Sequence, residues 1–461
     1  MALKKLTPDI VARAVGGRYV GPESARHAPI TSVVRDDRHV TEGSLFVCIR
    51  GERVDGHDFA ARAYVSGAAC CLCQRTPPDA EDKPHVLVDS TLDALKALGE
   101  YYRRQLQIPV VGVTGSVGKT SAKEMIAAVL STRYHVLKTE ENLNNEIGVP
   151  LTLLSIQEEH EAAVVEMGIS NFGEMRRIAK MVRPDICVIT AIGHSHLENL
   201  GSLEGVLRAK AEVFEYMTPK GLAVLNGDDA LLSQYDPGVP VVTFGMGARC
   251  DVRAESVRQR MDGPEPFVEF TVARGDARFD ARVHAFGTHL VYGALAAAAV
   301  GNALGVPDEE IARGLMDFRP VGRRARVVST GYITLIDDCY NANPTSMRAA
   351  LTSLSALEGR KVALLGDMFE LGEESDRLHR EIGEFAARCG VDCLICCGQK
   401  AEFIFKGLIS TGQEVEAWHF PLKAALISAL PRLIRPGDNV LVKASHGMHF
   451  EELVQALEAL R

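Results

Sequence analysis

The sequence predicts an α/β protein of three domains, and three observations predict it. Short apolar runs alternate with helical stretches over residues 108–318, as in a parallel sheet. The alternation starts again over residues 319–461, which reads as a second, Rossmann-like, doubly wound domain. Ahead of both, residues 1–107 carry strands and a helix of their own. A chain of 461 residues has room for roughly two to four domains.

Taken in order, the first segment opens on "MALKKLTPDIVARAVGG", which starts basic and continues as an amphipathic helix without a signal-peptide core. "SLFVCIRG" and "HVLVDS" read as strands, and "TLDALKALGEYYRRQ" as a helix. In the second segment "AAVVEMG", "ICVITAIG" and "LAVLNGDD" are buried strands. Residues 249–286 alternate polar and apolar positions and predict an antiparallel patch, followed by the alanine-rich helix "GALAAAAVGNALG". The third segment begins near "RPVGRRARV" and offers "ITLIDD", "KVALLGD", "CLICCG" and "NVLVKAS" as strands.

The most informative stretch is "PVVGVTGSVGKTSAKEMI", from Pro109. A short strand enters a glycine-rich turn that feeds a helix N-terminus, where free N–H groups and the helix dipole favour an anion. Gly115 and Gly118 allow the backbone to approach phosphate, Lys119 supplies a cation, and the Thr120 hydroxyl suits Mg²⁺. Val113 stands where the strict G-x-x-x-x-G-K-[ST] pattern has glycine, so the loop is T-G-S-x-G-K-T. ATP is the expected ligand.

Other strand ends carry candidate chemistry. Glu166 ends one strand, where a carboxylate can hold the Mg²⁺ of a bound nucleotide or simply face water. His194, His196 and Glu198 follow another, as metal or phosphate contacts or as structural residues. Lys210 reads as an ordinary helix lysine with its head in water. Asp337, Asp338, Asn341, Asn343 and Pro344 form either a capped strand-to-helix turn or a polar rim facing the nucleotide.

Composition excludes other classes. Net charge is −9 with no basic tract, which argues against nucleic acid as a partner. No apolar run is long enough to span a bilayer. The 11 cysteines are odd in number and several lie in apolar strands, so they read as reduced, buried hydrophobes of a cytoplasmic protein.

The motifs "GVTGSVGKTSAKEM", "ENLNNEIGVPLTLL", "EMGIS", "HLENLGSLEGVLRAKAEVF", "LNGDD", "IDDCYNANPTSM" and "LGDMFELG" occur in an order that resembles the Mur ligases of bacterial cell-wall synthesis. The resemblance covers nearly the whole chain. It implies a UDP-sugar-binding module at 1–107, with Asp36 and Arg38 near the ligand. It implies a central ATP-binding ligase domain at 108–318, and at 319–461 a domain that closes over the site and binds the incoming dipeptide. The implied reaction is ATP-driven amide formation through an acyl phosphate. "YNANP", in place of the Asp-Asn-Pro-Arg of enzymes that add the third amino acid, favours D-alanyl-D-alanine joined to UDP-N-acetylmuramoyl-tripeptide. A monomer is the expected state.

Carried over by position, Gly115, Ser116, Val117, Gly118, Lys119, Thr120 and Ser121 match the phosphate loop. Thr120 and Glu166 match ligands of a first Mg²⁺, and His196 a ligand of a second. Lys210 matches a lysine that CO₂ carbamylates in many members, which would turn a cation into a metal-binding anion. Asn144 and Asn145 match an asparagine-rich loop near metal and phosphates. Arg323 and Asp338 match residues that reach ATP from the C-terminal domain. The chain departs from the family at Leu290 and Gly293, where asparagines usually precede the alanine-rich helix, at His446 for an arginine, and at Asp37 for a serine.

Folylpolyglutamate synthase shares the ATP core but lacks the N-terminal module. A nucleotide-driven switch, a different class, would hydrolyse ATP without any substrate.

Overall fold

Three sheets, one after another in the chain, carry the site. The structure is a computed structural model that describes residues 6–51, 54–78, 82–218, 220–262 and 265–461. The basic start of the chain therefore lies outside the described residues, and the helix expected after it runs over Pro8–Val15. Thr7 caps that helix through its side chain, and Gly16 ends it in the left-handed region.

The first sheet has five strands in the order Arg18–Val20, His85–Leu87, Cys70–Cys73, Ser44–Val47, Ser32–Val34, with only the first pair antiparallel. Two of these strands are three-residue edges too short to show a period. Cys70, Cys71 and Cys73 lie fully inside, as expected for small apolar side chains on a central strand. All cysteines are free thiols and all but Cys389 are buried.

The central sheet has nine strands, in the order Ala277–Val283, Glu265–Arg274, Val252–Asp262, Val241–Gly245, Leu222–Asn226, Ile186–Ile189, Val110–Thr114, Ala162–Glu166, Val136–Lys138. Its first three strands pair antiparallel, where the alternating pattern of 249–286 predicted it, and the others run parallel. The helix Lys119–Leu130 packs on the alanine-rich helix Val291–Ala303 and on Asp308–Asp317. Small residues permit this: a Cβ on Gly314 would lie 2.6 Å from Val129 Cα. Met125, Ile126, Val129 and Leu130 are fully buried here, each worth about 1.5–3 kcal/mol of transfer free energy. That packing fixes the helix whose N-terminus faces the site.

The third sheet has six strands, ordered Arg326–Ser329, Thr334–Asp337, Asn439–Lys443, Lys361–Gly366, Cys393–Cys397, Glu416–Phe420, parallel except for the first pair. Asn343 caps the helix Pro344–Ser355 in a reciprocal capping box with Ser346, so the turn chemistry of "NANPTS" is a helix start. Among the described residues no helix is long and apolar enough to cross a membrane.

Candidate active site

Register puts the site at the carboxyl end of the central sheet. Val113 pairs with Glu166 on one side and Val188 on the other, so Glu166 emerges beside the loop that follows Thr114. Gly115 has φ +145, and a Cβ there would lie 2.0 Å from Thr190 Oγ1. No side chain fits, and the loop backbone seats directly on the neighbouring strand end. Gly118, at φ 79, starts the helix. Ser116 Oγ donates to Gly193 O at 3.1 Å and accepts from Gly193 N–H at 2.9 Å, and Thr190 Oγ1 donates to Val117 O at 2.5 Å. The phosphate loop is therefore stitched to the 190–193 turn. Thr120 is buried at the first turn of the helix, and Ser121 is half-buried beside it.

Lys119 Nζ donates to Gly115 O at 2.7 Å, folding back over the curl of the loop. Desolvation lowers its pKa, Glu166 opposes that fall, and the positive charge of Arg324 adds to it. Asn144 Nδ2 donates to Glu166 Oε1 at 2.8 Å, while Glu166 Oε2 is buried without a hydrogen-bond partner. Lys123, a second lysine of the same helix, lies 4.0 Å from that bare oxygen and is held by Glu124 and by the carbonyl of Thr139. It was not singled out from the sequence, although it sits in the quoted "GKTSAKEM".

Lys210 is where the residue-level expectation fails. It is 1% exposed on the helix Leu203–Ala211, not a water-facing lysine. Among the described residues its ammonium has no hydrogen bond or ion pair. Burial, then the nearby charge of Lys119, pulls its pKa well below the ordinary lysine value. A neutral amine is the form that reacts with CO₂.

His196 caps the short helix Leu197–Leu200 with φ 54, a left-handed conformation rare for a side-chain-bearing residue. Its Nδ1 is 2.6 Å from Glu370 Oε2 of the C-terminal domain, off the line a hydrogen bond requires. His194 is pushed below its ordinary pKa by burial and by the charge of Arg377.

Other expected residues make contacts within their own domains. Asn145 Oδ1 accepts from the N–H groups of Ile147 and Gly148, so it caps a local turn; Asn144 alone turns toward Glu166. Arg323 binds Asp337 at 2.8 Å, and Asp338 binds the buried Lys443 at 2.6 Å, both within the C-terminal domain. Arg324, one residue on, stacks over Tyr340 and is the cation that faces Lys119. In the N-terminal module Arg38 pairs with Asp36, and Asp37 pairs with Arg62, so the added carboxylate is neutralised locally. Leu290 is buried, and Gly293 lies against Met125 and Ala122 of the phosphate-loop helix. These two positions serve helix packing in this chain.

Among the described residues no three His, Cys, Asp or Glu side chains converge on one metal. The site nonetheless fits Mg²⁺ held largely by a nucleotide's phosphates, because it offers a buried carboxylate oxygen without a hydrogen bond and a buried hydroxyl on the first turn of the phosphate-loop helix.

Three family signatures match the chain: Mur ligase family, catalytic domain, over 29–105; Mur ligase middle domain, over 113–301; and Mur ligase, glutamate ligase domain, over 322–446. The UDP-N-acetylmuramoyl-tripeptide–D-alanyl-D-alanine ligase of Bacillus subtilis is 37% identical over 457 residues, covering 98% of each chain.

The chain belongs to the Mur ligase family.

The Mur ligase of the same description from Escherichia coli is 37% identical over 436 residues, 93% of this chain and 94% of that one. Among solved structures, the fold of this Mur ligase superposes on MurF from Acinetobacter baumannii with a TM-score of 0.88 and 32% identity, covering 99% and 100% of the two chains. MurF ligase from Thermotoga maritima in complex with ADP gives 0.79 at 27% identity, covering 93% and 97%. Mur ligases form C–N bonds at the expense of ATP, and the switch reading is set aside.

Proposed function

We propose that this chain joins D-alanyl-D-alanine to UDP-N-acetylmuramoyl-tripeptide, using ATP, in peptidoglycan precursor synthesis. The observation that carries the reading is the cluster of half-buried Lys119 with buried Glu166 and Lys210 at the phosphate loop, in a chain that aligns end to end with ligases of that description. The N-terminal domain, 1–107, would hold the UDP-sugar and the central domain, 108–318, ATP. The C-terminal domain, 319–461, would close over both and bind the dipeptide.

A carboxylate is a poor electrophile: it is anionic and lacks a leaving group. One carboxylate oxygen of the tripeptide attacks the γ-phosphorus, the bond to the β-phosphate oxygen breaks, and ADP leaves. The dipeptide amine then attacks the acyl carbon, loses a proton, and expels phosphate. Two anions must meet in the first step, so cationic groups aimed at the transferring phosphoryl lower its barrier. Lys119 and the loop N–H groups supply that charge from the protein. Glu166 and the Thr120 hydroxyl would hold one Mg²⁺, and His196 with a carbamylated Lys210 a second; bound there, Mg²⁺ supplies further neutralisation. Asn144 orients Glu166 from behind. The C-terminal domain keeps water from the acyl phosphate, and Arg324 is the cation it brings toward the loop.

A direct ligation assay tests the reading. The chain, ATP, Mg²⁺, D-alanyl-D-alanine and UDP-N-acetylmuramoyl-tripeptide, with lysine or diaminopimelate as third residue in separate reactions, should yield the pentapeptide by mass. ATP binding without product in either reaction would overturn it.

A further inference from the structure

One contact across the domain boundary is unused by the reaction scheme above. The loop that leaves the strand Lys361–Gly366 reads "DMFELG" and crosses to the central domain. There Glu198 N–H donates to Glu370 O at 3.2 Å. Gly372 comes so close that a Cβ on it would lie 3.2 Å from Glu198 Cα. Glu370 Oε2 approaches His196 Nδ1 to 2.6 Å. Both residues of this pair have positive φ, 63 for Glu370 and 54 for His196. Such conformations cost roughly 1–3 kcal/mol each and persist only where their surroundings hold them.

The surroundings of Glu370 do hold it. Met368 N–H donates to Nε2 of the buried His379 at 2.9 Å, and His379 Nδ1 in turn faces Ser375 O at 2.7 Å. Phe369 N–H donates to Ser445 Oγ at 2.9 Å, while Ser445 N–H donates to Asp367 O at 3.0 Å. Asp367 Oδ1 accepts from Ala401 N–H at 2.7 Å. The loop is pinned to the residues that follow the strand Asn439–Lys443 and to two helices of its own domain, so the carboxylate moves with that domain as one piece.

A simple stabilising ion pair does not account for this construction. The side chains are 24% and 53% exposed, and pairs this open contribute about 0–1 kcal/mol. What the contact does is set a carboxylate oxygen 2.6 Å from one ring nitrogen, where a small turn of the imidazole completes the hydrogen bond. An imidazole whose Nδ1 is taken by a carboxylate can present only Nε2 to a cation, and carboxylates behind metal-ligating histidines fix ring orientation in this way.

We infer that Glu370 is a positioning residue for His196: docking of the C-terminal domain delivers a carboxylate to Nδ1 and so completes the second cation site only when the domains are closed. This rests on the reading of His196 as a cation ligand. Closure and cation binding then become reciprocal, each favouring the other.

The test uses the full chain with ADP and Mn²⁺ as the probe, following free Mn²⁺ by electron paramagnetic resonance. Wild type is compared with Glu370→Ala, Glu370→Gln and His196→Ala. The expected result is that Glu370→Ala weakens the weaker of two Mn²⁺ steps by roughly 10–100-fold, at unchanged melting temperature. Glu370→Gln, whose amide oxygen still accepts, recovers part of the loss. In turnover Glu370→Ala needs more Mg²⁺ and loses kcat while keeping KM for ATP. A Glu370→Ala isotherm equal to wild type overturns the inference, as does a loss that tracks a lowered melting temperature. An unchanged isotherm in His196→Ala removes the cation ligand itself and the inference with it. Absence of pentapeptide from wild type would instead fault the substrate reading, and the Mn²⁺ isotherms would still decide Glu370.

Discussion

Asn144 donates a 2.8 Å hydrogen bond to one oxygen of the Glu166 carboxylate and leaves the other oxygen buried and bare. A buried acceptor without a hydrogen bond costs about 1–3 kcal/mol, more when charged, and the Lys123 ammonium 4.0 Å away is held by Glu124 and Thr139 O, so this oxygen beside a phosphate loop suits a further cation. Glu166→Gln should raise the Mg²⁺ concentration for half-maximal activity and lower kcat by about 10²-fold or more, with the fold intact. Asn144→Ala should fall between, with apparent metal affinity reduced by roughly 10–100-fold. Magnesium titrations of ligation rate decide both; wild-type titrations in Glu166→Gln would take that residue out of the cation site.

Lys119 folds back onto Gly115 O, inside the curl that would receive the phosphates. Lys119→Ala should lose ligation by at least about 10²–10³-fold, the scale for one preorganised donor. Its melting temperature should stay near wild type, because the hydrogen bond its ammonium makes to Gly115 O lies within the loop. Full activity in this variant would sink the phosphate-loop assignment.

Lys210 is buried and, among the described residues, its ammonium has no hydrogen bond or ion pair, a costly arrangement unless the amine is neutral or modified. Lys210→Ala should lose activity, and short carboxylic acids should restore part of it by entering the vacated space. The intact mass of gently handled wild type should show a carbamate that disappears on acidification. Wild-type rates in untreated Lys210→Ala would remove the carbamate.

His289 sits between the central and C-terminal domains, facing Asp338 and Lys443, and burial pushes its pKa down to about 4 from 6.5. A base held neutral when folded gives stability that is complete above the unfolded pKa. That stability is lost as pH falls through the window between 6.5 and about 4. The loss should reach about 2 kcal/mol once partial exposure is allowed for. Melting temperatures against pH should therefore fall more steeply below 6.5 in wild type than in His289→Gln; parallel curves would refute the assignment.

How much of this was legible in the sequence follows from how local each feature is. Val110–Thr114, Ala162–Glu166 and Cys393–Cys397 are continuous apolar runs and announce themselves. Arg18–Val20, Val136–Lys138 and the edge strand Glu416–Phe420 are short or half-buried, and only their neighbours make them strands. The loop from Gly115 to Thr120 was readable because its function lies in its own backbone. Lys210 was not: helical periodicity gives a face but not what covers it. Asn145 matches the asparagine-rich loop by position, but that its Oδ1 accepts from Ile147 N–H two residues on is visible only once the turn has formed. The pairing of Arg323 with Asp337 needs two strands to meet before it exists.

The burial of the cysteines has a practical side. Of 11 thiols, ten are buried, and Cys389 alone, on the C-terminal domain, is half-buried. Burial also raises the Cys389 pKa and slows its thiolate chemistry. Toward alkylating reagents the native chain thus resembles a protein with a single, sluggish handle. A fluorophore attached to one engineered surface cysteine would need almost no background removed, and domain closure can be watched in solution without first stripping the protein of its own sulfur.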